Sequence, residues 1–144
     1  MFLQERSSEM IVIACVDDSM GMLFNNRRVS RDEKVIDKIV EVANGRRIWM
    51  SDYSQSLFEY TEVQNIIMDD NYLEKADCNE YCFVEKEMLS NYKDKMEKII
   101  LFKWNRDYPS DKKFDLDLTE WINESSMEFQ GNSHECITME VYTR

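Results

Sequence analysis

The sequence predicts an α/β fold: a mostly parallel central sheet with helices on both faces and an antiparallel C-terminal hairpin. Three observations carry that expectation. The segment "IVIACV" (11–16) is an unbroken apolar run rich in β-branched residues, the pattern of a strand covered on both faces. Short apolar runs then recur with helical or polar stretches between them, the rhythm of strand–helix–strand units with right-handed crossovers. Towards the end, two strand-like segments flank "GNSH" (131–134), a hairpin turn signal.

The elements follow in order. "DDSMG" (17–21) ends the first strand, and residues 17–29 read as a loop. Ser30-Arg31-Asp32-Glu33 has the form of a capping box, with Ser30 accepting from the amide three residues on and Glu33 reaching back. Val35, Ile36, Ile39, Val40 and Ala43 then fall at helical spacing. Asn44-Gly45 supplies a left-handed stop, so a helix is predicted over about 32–43. "RIWM" (47–50) is the second strand, after which Ser51 or Asp52 caps a short helix carrying Tyr53, Leu57 and Phe58. "VQNIIM" (63–68), "YCFV" (81–84) and "KIILFKW" (98–104) are further strands. A short helix in "DDNYLEKAD" and a helical stretch near 85–95 separate them. Residues 136–143 form the last strand, antiparallel to its neighbours.

At 144 residues, 43% hydrophobic and 12% aromatic, the chain is expected to be one domain over residues 10–144, with 1–9 as an N-terminal extension. No apolar stretch approaches the ~20 residues of a membrane span, and "MFLQERSSE" is too polar for a signal peptide. A net charge of −11 repels DNA and anionic membrane, so neither is an expected partner. Cys15, Cys78, Cys82 and Cys136 form no C-x-x-C pair, which points to a reduced, cytoplasmic protein. The charge is uneven. Residues 27–47 hold seven cations against four carboxylates, a net +3 that leaves −14 on the rest.

Residues at both ends resemble the dihydrofolate reductases. "MIVIACVDDSMGM" is similar to that family's opening strand, which runs into an Asp and a Gly-hydrophobic pair before the active-site loop. "KMEKIILFKW", "YPSDKKFDLDLTEW" and "NSHECITMEVYTR" resemble its closing third. The resemblance spans about residues 10–144 and implies a dihydrofolate reductase-like fold. Departures from the family pattern bear on chemistry. Where the family's cofactor strand ends in two adjacent glycines, this chain has "CFVEKEML", with bulk at Val84, Glu85 and Lys86; glycines there let backbone approach the cofactor closely. Where the family's Gly-Arg-x-Thr-Trp turn places an Arg on the cofactor's extra phosphate, the chain reads Ser51-Asp52-Tyr53-Ser54-Gln55. The adenosine-holding segment is shorter by roughly one strand–helix unit, and "RRVSR" replaces the family's Pro-Trp-x-Leu-Pro. The resemblance thus implies no NADPH cofactor and no ordinary dihydrofolate reduction. An ungapped register from Gly21 places Glu33 where the reductases carry their pterin-binding acid; Glu33 equally serves as a helix-start carboxylate.

The candidate ligand site is the 17–33 segment: Asp17, Asp18, Gly21, Asn25, Asn26, Arg27, Arg28, Arg31 and Glu33. In open α/β sheets ligands bind beyond the carboxyl ends of the strands. Arginine offers a planar five-donor fork to phosphate or carboxylate, and Asn25 and Asn26 can orient such a group. Arg27, Arg28 and Arg31 are expected to converge on one cleft, unless they pair with the protein's own surplus carboxylates. Asp17 and Asp18 suit either a magnesium ion beside a phosphate or the turn that ends a strand; no metal is expected. "DKKFDLDL" lacks a calcium-loop pattern. His134, the sole histidine, reads as a turn residue and supports no catalytic triad. The preferred function is binding of a small anionic or phosphate-bearing, nucleotide-like ligand. The alternatives are an enzyme using the 17–33 loop, as reductase or as phosphate-processing hydrolase, and an interaction scaffold. A homodimer through the terminal strand is compatible with either.

Overall fold

The structure, a computed structural model, describes residues 9–144. The expected extension at 1–9 lies, but for Glu9, outside the described residues. The first strand, β1 (Met10–Val16), is buried along its length except at Cys15. The chain then forms a hairpin of β2 (Gly21–Phe24) and β3 (Arg27–Arg28) before the first helix, α1 (Glu33–Ala43). β4 (Ile48–Met50), α2 (Asp52–Gln55) with a 3-10 turn over Ser56–Thr61, β5 (Ile66–Met68), α3 (Tyr72–Lys75) and β6 (Tyr81–Phe83) follow. A second 3-10 turn (Ser90–Lys95) leads to β7 (Met96–Lys103), β8 (Lys112–Lys113), β9 (Ile122–Phe129) and β10 (Ile137–Thr143).

The seven-stranded sheet has the order β5-β4-β6-β1-β7-β10-β9. β1 pairs parallel with β6 and β7, and β4 pairs parallel with β5 and β6. β10 runs antiparallel to both β7 and β9, as expected of a closing hairpin. The β1 side chains alternate between two cores. Met10, Val12, Ala14 and Val16 face Tyr72 and Leu73 of α3. Ile11 and Ile13 face Val35, Ile36 and Ile39 of α1. This explains the unbroken apolar run: both faces are dry, so neither set can be polar.

Several expectations need correction. Residues 17–29 are not all loop. Asn25 and Asn26, at φ 51° and 63°, make the two-residue turn that joins β2 to β3 with the twist a hairpin needs. β2 also pairs with β8, giving a separate three-stranded sheet. Ser30 does not cap α1. The N-cap is Asp32, whose side chain accepts from the Lys34 amide at 2.9 Å. At the other end Asn44 (φ 50°) and Gly45 (φ 88°) stop the helix as read. The strand expected at 63–68 is confined to 66–68 because Glu62 turns left-handed at φ 58°. The helical stretch near 85–95 is only the 3-10 turn, and the Leu89 amide before it is held by both Asp115 oxygens at 2.9 and 3.1 Å. The terminal strand β10 is flanked on both sides, so the C-terminal edge of the sheet is β9. Among the described residues no helix is long and apolar enough to cross a membrane.

Candidate functional site

The carboxyl ends of β1 and β7 open into the β2–β3 hairpin and the 105–111 loop, and the candidate residues lie there. Asp17, 1% exposed, is tied up internally. One oxygen accepts from the Ser19 and Gly21 amides at 2.9 and 2.6 Å, the other from the Tyr108 amide at 3.0 Å. Its carboxylate therefore fastens the two loops together, in keeping with the turn role. Asp18 is exposed, and its amide donates to the Arg106 carbonyl. Gly21 permits this closeness: a Cβ there would lie 2.3 Å from Ser110 Oγ. Asn25 and Asn26 serve the hairpin turn, and the Asn25 amide donates to Asp111.

The three arginines do not converge on one cleft. Arg28 turns to Glu85, its Nε and Nη2 donating to the two carboxylate oxygens at 2.8 and 3.0 Å. The pair is largely out of solvent, with side chains 17% and 10% exposed. Ser54 Oγ donates a third bond to Glu85 at 2.7 Å. The guanidinium also stacks 4.4 Å from the Tyr53 ring centroid and reaches the Tyr53 carbonyl at 3.2 Å. Burial lowers the Arg28 pKa, but the Glu85 bonds and charge outweigh it, so the guanidinium is held more firmly protonated than usual. Here the alternative of pairing with an internal carboxylate is realised.

Arg27 is exposed and makes no ion pair among the described residues. With Phe24, Asn25, Arg28, Val29, Tyr108 and Pro109 it lines an open groove of about 540 Å³. Arg31 lines a different space, between α1 and the ends of β1, β6 and β7, shared with Cys15, Ser30, Glu85 and Trp104. That interior cavity is only about 10 Å³, room for roughly one water. Burial and then the charge of Glu85 push the Cys15 thiol up, with Arg28 offsetting part, so this cysteine is no thiolate nucleophile. Glu33 is exposed on the first turn of α1; the acid directed inward is its neighbour Asp32.

Asp32 belongs to a cluster that the sequence reading missed. Its carboxylate accepts from the Asn132 and Ser133 amides, both at 2.8 Å, and from His134 Nδ1 at 2.8 Å. Burial pushes this carboxyl up, but the Asn132 amide, His134, and the Ser133 and Lys34 amides together hold it well below the usual carboxylate range. His134 stacks on Trp104, ring centroids 4.6 Å apart, and its Nε2 lies 2.8 Å from Ser30 Oγ and 3.3 Å from the Tyr108 hydroxyl. Ser30 and His134 stand 104 positions apart. No local spacing rule could have joined them; the one usable signal was that the lone histidine sits in the hairpin that returns to the start of α1.

No protein-family model matches the chain. No curated protein matches it at a significant level. Among solved structures it is similar to dihydrofolate reductase from Enterococcus faecalis complexed with NADP(H) and RAB-propyl. The TM-score is 0.65 at 9% sequence identity, over 95% of this chain and 96% of that one. The chain therefore has a dihydrofolate reductase-like fold.

Proposed function

We propose that this chain is a reductase-fold protein that binds a small anionic or phosphate-bearing ligand in the open groove at Arg27, and does not reduce dihydrofolate with NADPH. One contrast carries the reading. The interior space beside α1 holds about 10 Å³ and is lined in part by Glu85, while the outer groove offers about 540 Å³ and, in Arg27, an arginine without an ion-pair partner among the described residues. A bicyclic pterin does not fit a one-water cavity. A phosphate or carboxylate fits the groove, where Arg27 supplies the fork, and Phe24 (43% exposed) and Tyr108 supply flat apolar faces for a base or ring. The four cysteines are free, which suits a reducing compartment such as the cytoplasm.

Thermal shift with phosphate, pyrophosphate and nucleotides tests the reading. A bound ligand at 100 times its dissociation constant stabilises by ~2.7 kcal/mol. Arg27→Ala should weaken that ligand at least tenfold, equivalent to ~1.4 kcal/mol. If no anion raises the melting temperature, or if Arg27→Ala binds as the wild type does, the reading is wrong and an interaction scaffold becomes the better one.

A further inference from the structure

The Asp32–His134–Ser30 chain is connected as a base-activated hydroxyl. Asp32 Oδ2 can only accept at its 2.8 Å contact with His134 Nδ1, which selects the neutral-ring tautomer with the proton on Nδ1 and the lone pair on Nε2. That lone pair faces Ser30 Oγ at 2.8 Å. Stacking on Trp104 holds the imidazole plane. Asp32 already takes three amides, from Lys34, Asn132 and Ser133. Amides thus meet the needs of helix capping and of docking the 131–134 turn, and the imidazole adds a link from Asp32 to Ser30 Oγ, with the Tyr108 hydroxyl 3.3 Å from both Nε2 and Ser30 Oγ. Beside Ser30 lies the oxygen-sized cavity, walled by Arg31 and Trp104. Trp104 Nε1 is buried and has no acceptor among the described residues.

We propose that Ser30 is a nucleophile activated by His134, that Asp32 positions the imidazole, and that the chain hydrolyses a small carboxylic ester whose acyl part enters beside Val29 and Tyr108. Ser30 Oγ adds to the ester carbon and its proton passes to His134 Nε2, while the carbonyl π pair moves onto the carbonyl oxygen. The oxygen-sized cavity, with Trp104 Nε1–H as donor and Arg31 as charge, receives that oxygen. Collapse restores the carbonyl and expels the alcohol, which takes the proton from Nε2. Water then repeats the sequence: it gives one proton to Nε2, its oxygen adds to the acyl carbon, and Ser30 Oγ leaves reprotonated. The net reaction is ester plus water to acid plus alcohol.

This inference rests on the geometry at Ser30 and not on the anion reading, and its test uses a different readout. The full chain is treated with a fluorophosphonate probe. Attack forms an Oγ–P bond, breaks P–F and sends the proton to His134. The expected result is one adduct by intact mass, mapped to Ser30, absent from Ser30→Ala, and formed at least 100-fold more slowly in His134→Gln. Asp32→Asn keeps an oxygen that accepts from the Lys34 amide but loses the carboxylate that holds the imidazole, so its melting transition is recorded beside its labelling rate. The labelling rate should fall at least tenfold in Asp32→Asn while a cooperative melting transition persists. Folded wild type that stays unlabelled, an adduct that survives Ser30→Ala, or a rate indifferent to His134→Gln would each overturn the proposal, leaving the trio as a purely structural tie.

Discussion

Arg28 and Arg27 are adjacent in sequence and opposite in role. Arg28 is committed to Glu85, Tyr53 and a largely dry site, whereas Arg27 faces the groove. Arg28→Ala leaves Glu85 with Ser54 as its remaining donor among the described residues and should cost ~1.5–3 kcal/mol, the range for hydrogen bonds to charged groups. Arg27→Ala should stay within ~0.5 kcal/mol of wild type, as exposed substitutions do. Urea unfolding of the two variants separates these outcomes; equal losses would mean that Arg27 has a structural partner. Asp32 sets a second expectation. Its carboxyl titrates lower in the folded protein than the ~3.9 of an unfolded chain. The stability it contributes is therefore complete above that unfolded value and is lost as pH falls from there through the folded one. The melting-temperature advantage of wild type over Asp32→Asn should shrink below about pH 4, and an advantage constant from neutral to strongly acidic pH would contradict the assignment.

At the scale of elements, α1 and the 131–134 turn hold each other. The Asp32 carboxylate caps the helix and also receives the Asn132 and Ser133 amides. Gly131 allows that approach: a Cβ there would sit 2.5 Å from Asp32 Oδ2 and 2.7 Å from Ile137 Cδ1. Gly131→Ala must push the turn off the helix, at a cost of ~1–3 kcal/mol by analogy with overpacked cores. Hydrogen exchange should then speed up at the Asn132 and Ser133 amides while the β7 and β10 amides stay protected. Uniform acceleration across the sheet would instead mean global destabilisation. The β2–β3 hairpin depends on a different device, two asparagines at positive φ, a conformation that asparagine tolerates better than most residues.

Across the whole molecule, bulky side chains occupy the end of β6, where the family resemblance implies glycines. Glu85 is 8% exposed at the end of β6, and Lys86 lies 5.8 Å from the Tyr53 ring centroid. NADPH fluorescence should therefore show no saturable change at micromolar protein, where a matching dissociation constant would represent ~8 kcal/mol; saturation would refute the assignment. The −11 charge surrounds a locally basic segment, so any anion that binds at Arg27 should weaken with added salt over the range where the screening length drops to ~10 Å. Among the described residues strand β9 leaves one side unpaired, and Ile122 is 61% exposed. Glu124 and Glu128 on that strand oppose edge-to-edge pairing with a second copy.

The fold was legible because its signals are local. The β1 run, the α1 periodicity with its Asn44-Gly45 stop, and the "GNSH" turn each report their own burial or backbone geometry through nearest neighbours in the chain. The dihydrofolate reductase resemblance at the two ends was legible for the same reason, since those segments build the central and closing strands. The roles of the arginines were not. Arg28 and Glu85 are 57 positions apart, and whether a guanidinium meets a ligand or an internal carboxylate depends on which strand ends the sheet order brings together. Capping misled for a similar reason: Ser30 satisfies the local pattern, but Asp32 takes the cap because its carboxylate also gains donors from a turn 100 residues away. The sequence by itself determined the strands of the central sheet, the first helix and the absence of the family's glycines, but not the β2–β3 hairpin or β8. Tertiary structure alone decided that Ser30, His134 and Asp32 meet, because that contact exists only once β10 has folded back beside β7 and delivered the preceding turn to the start of α1.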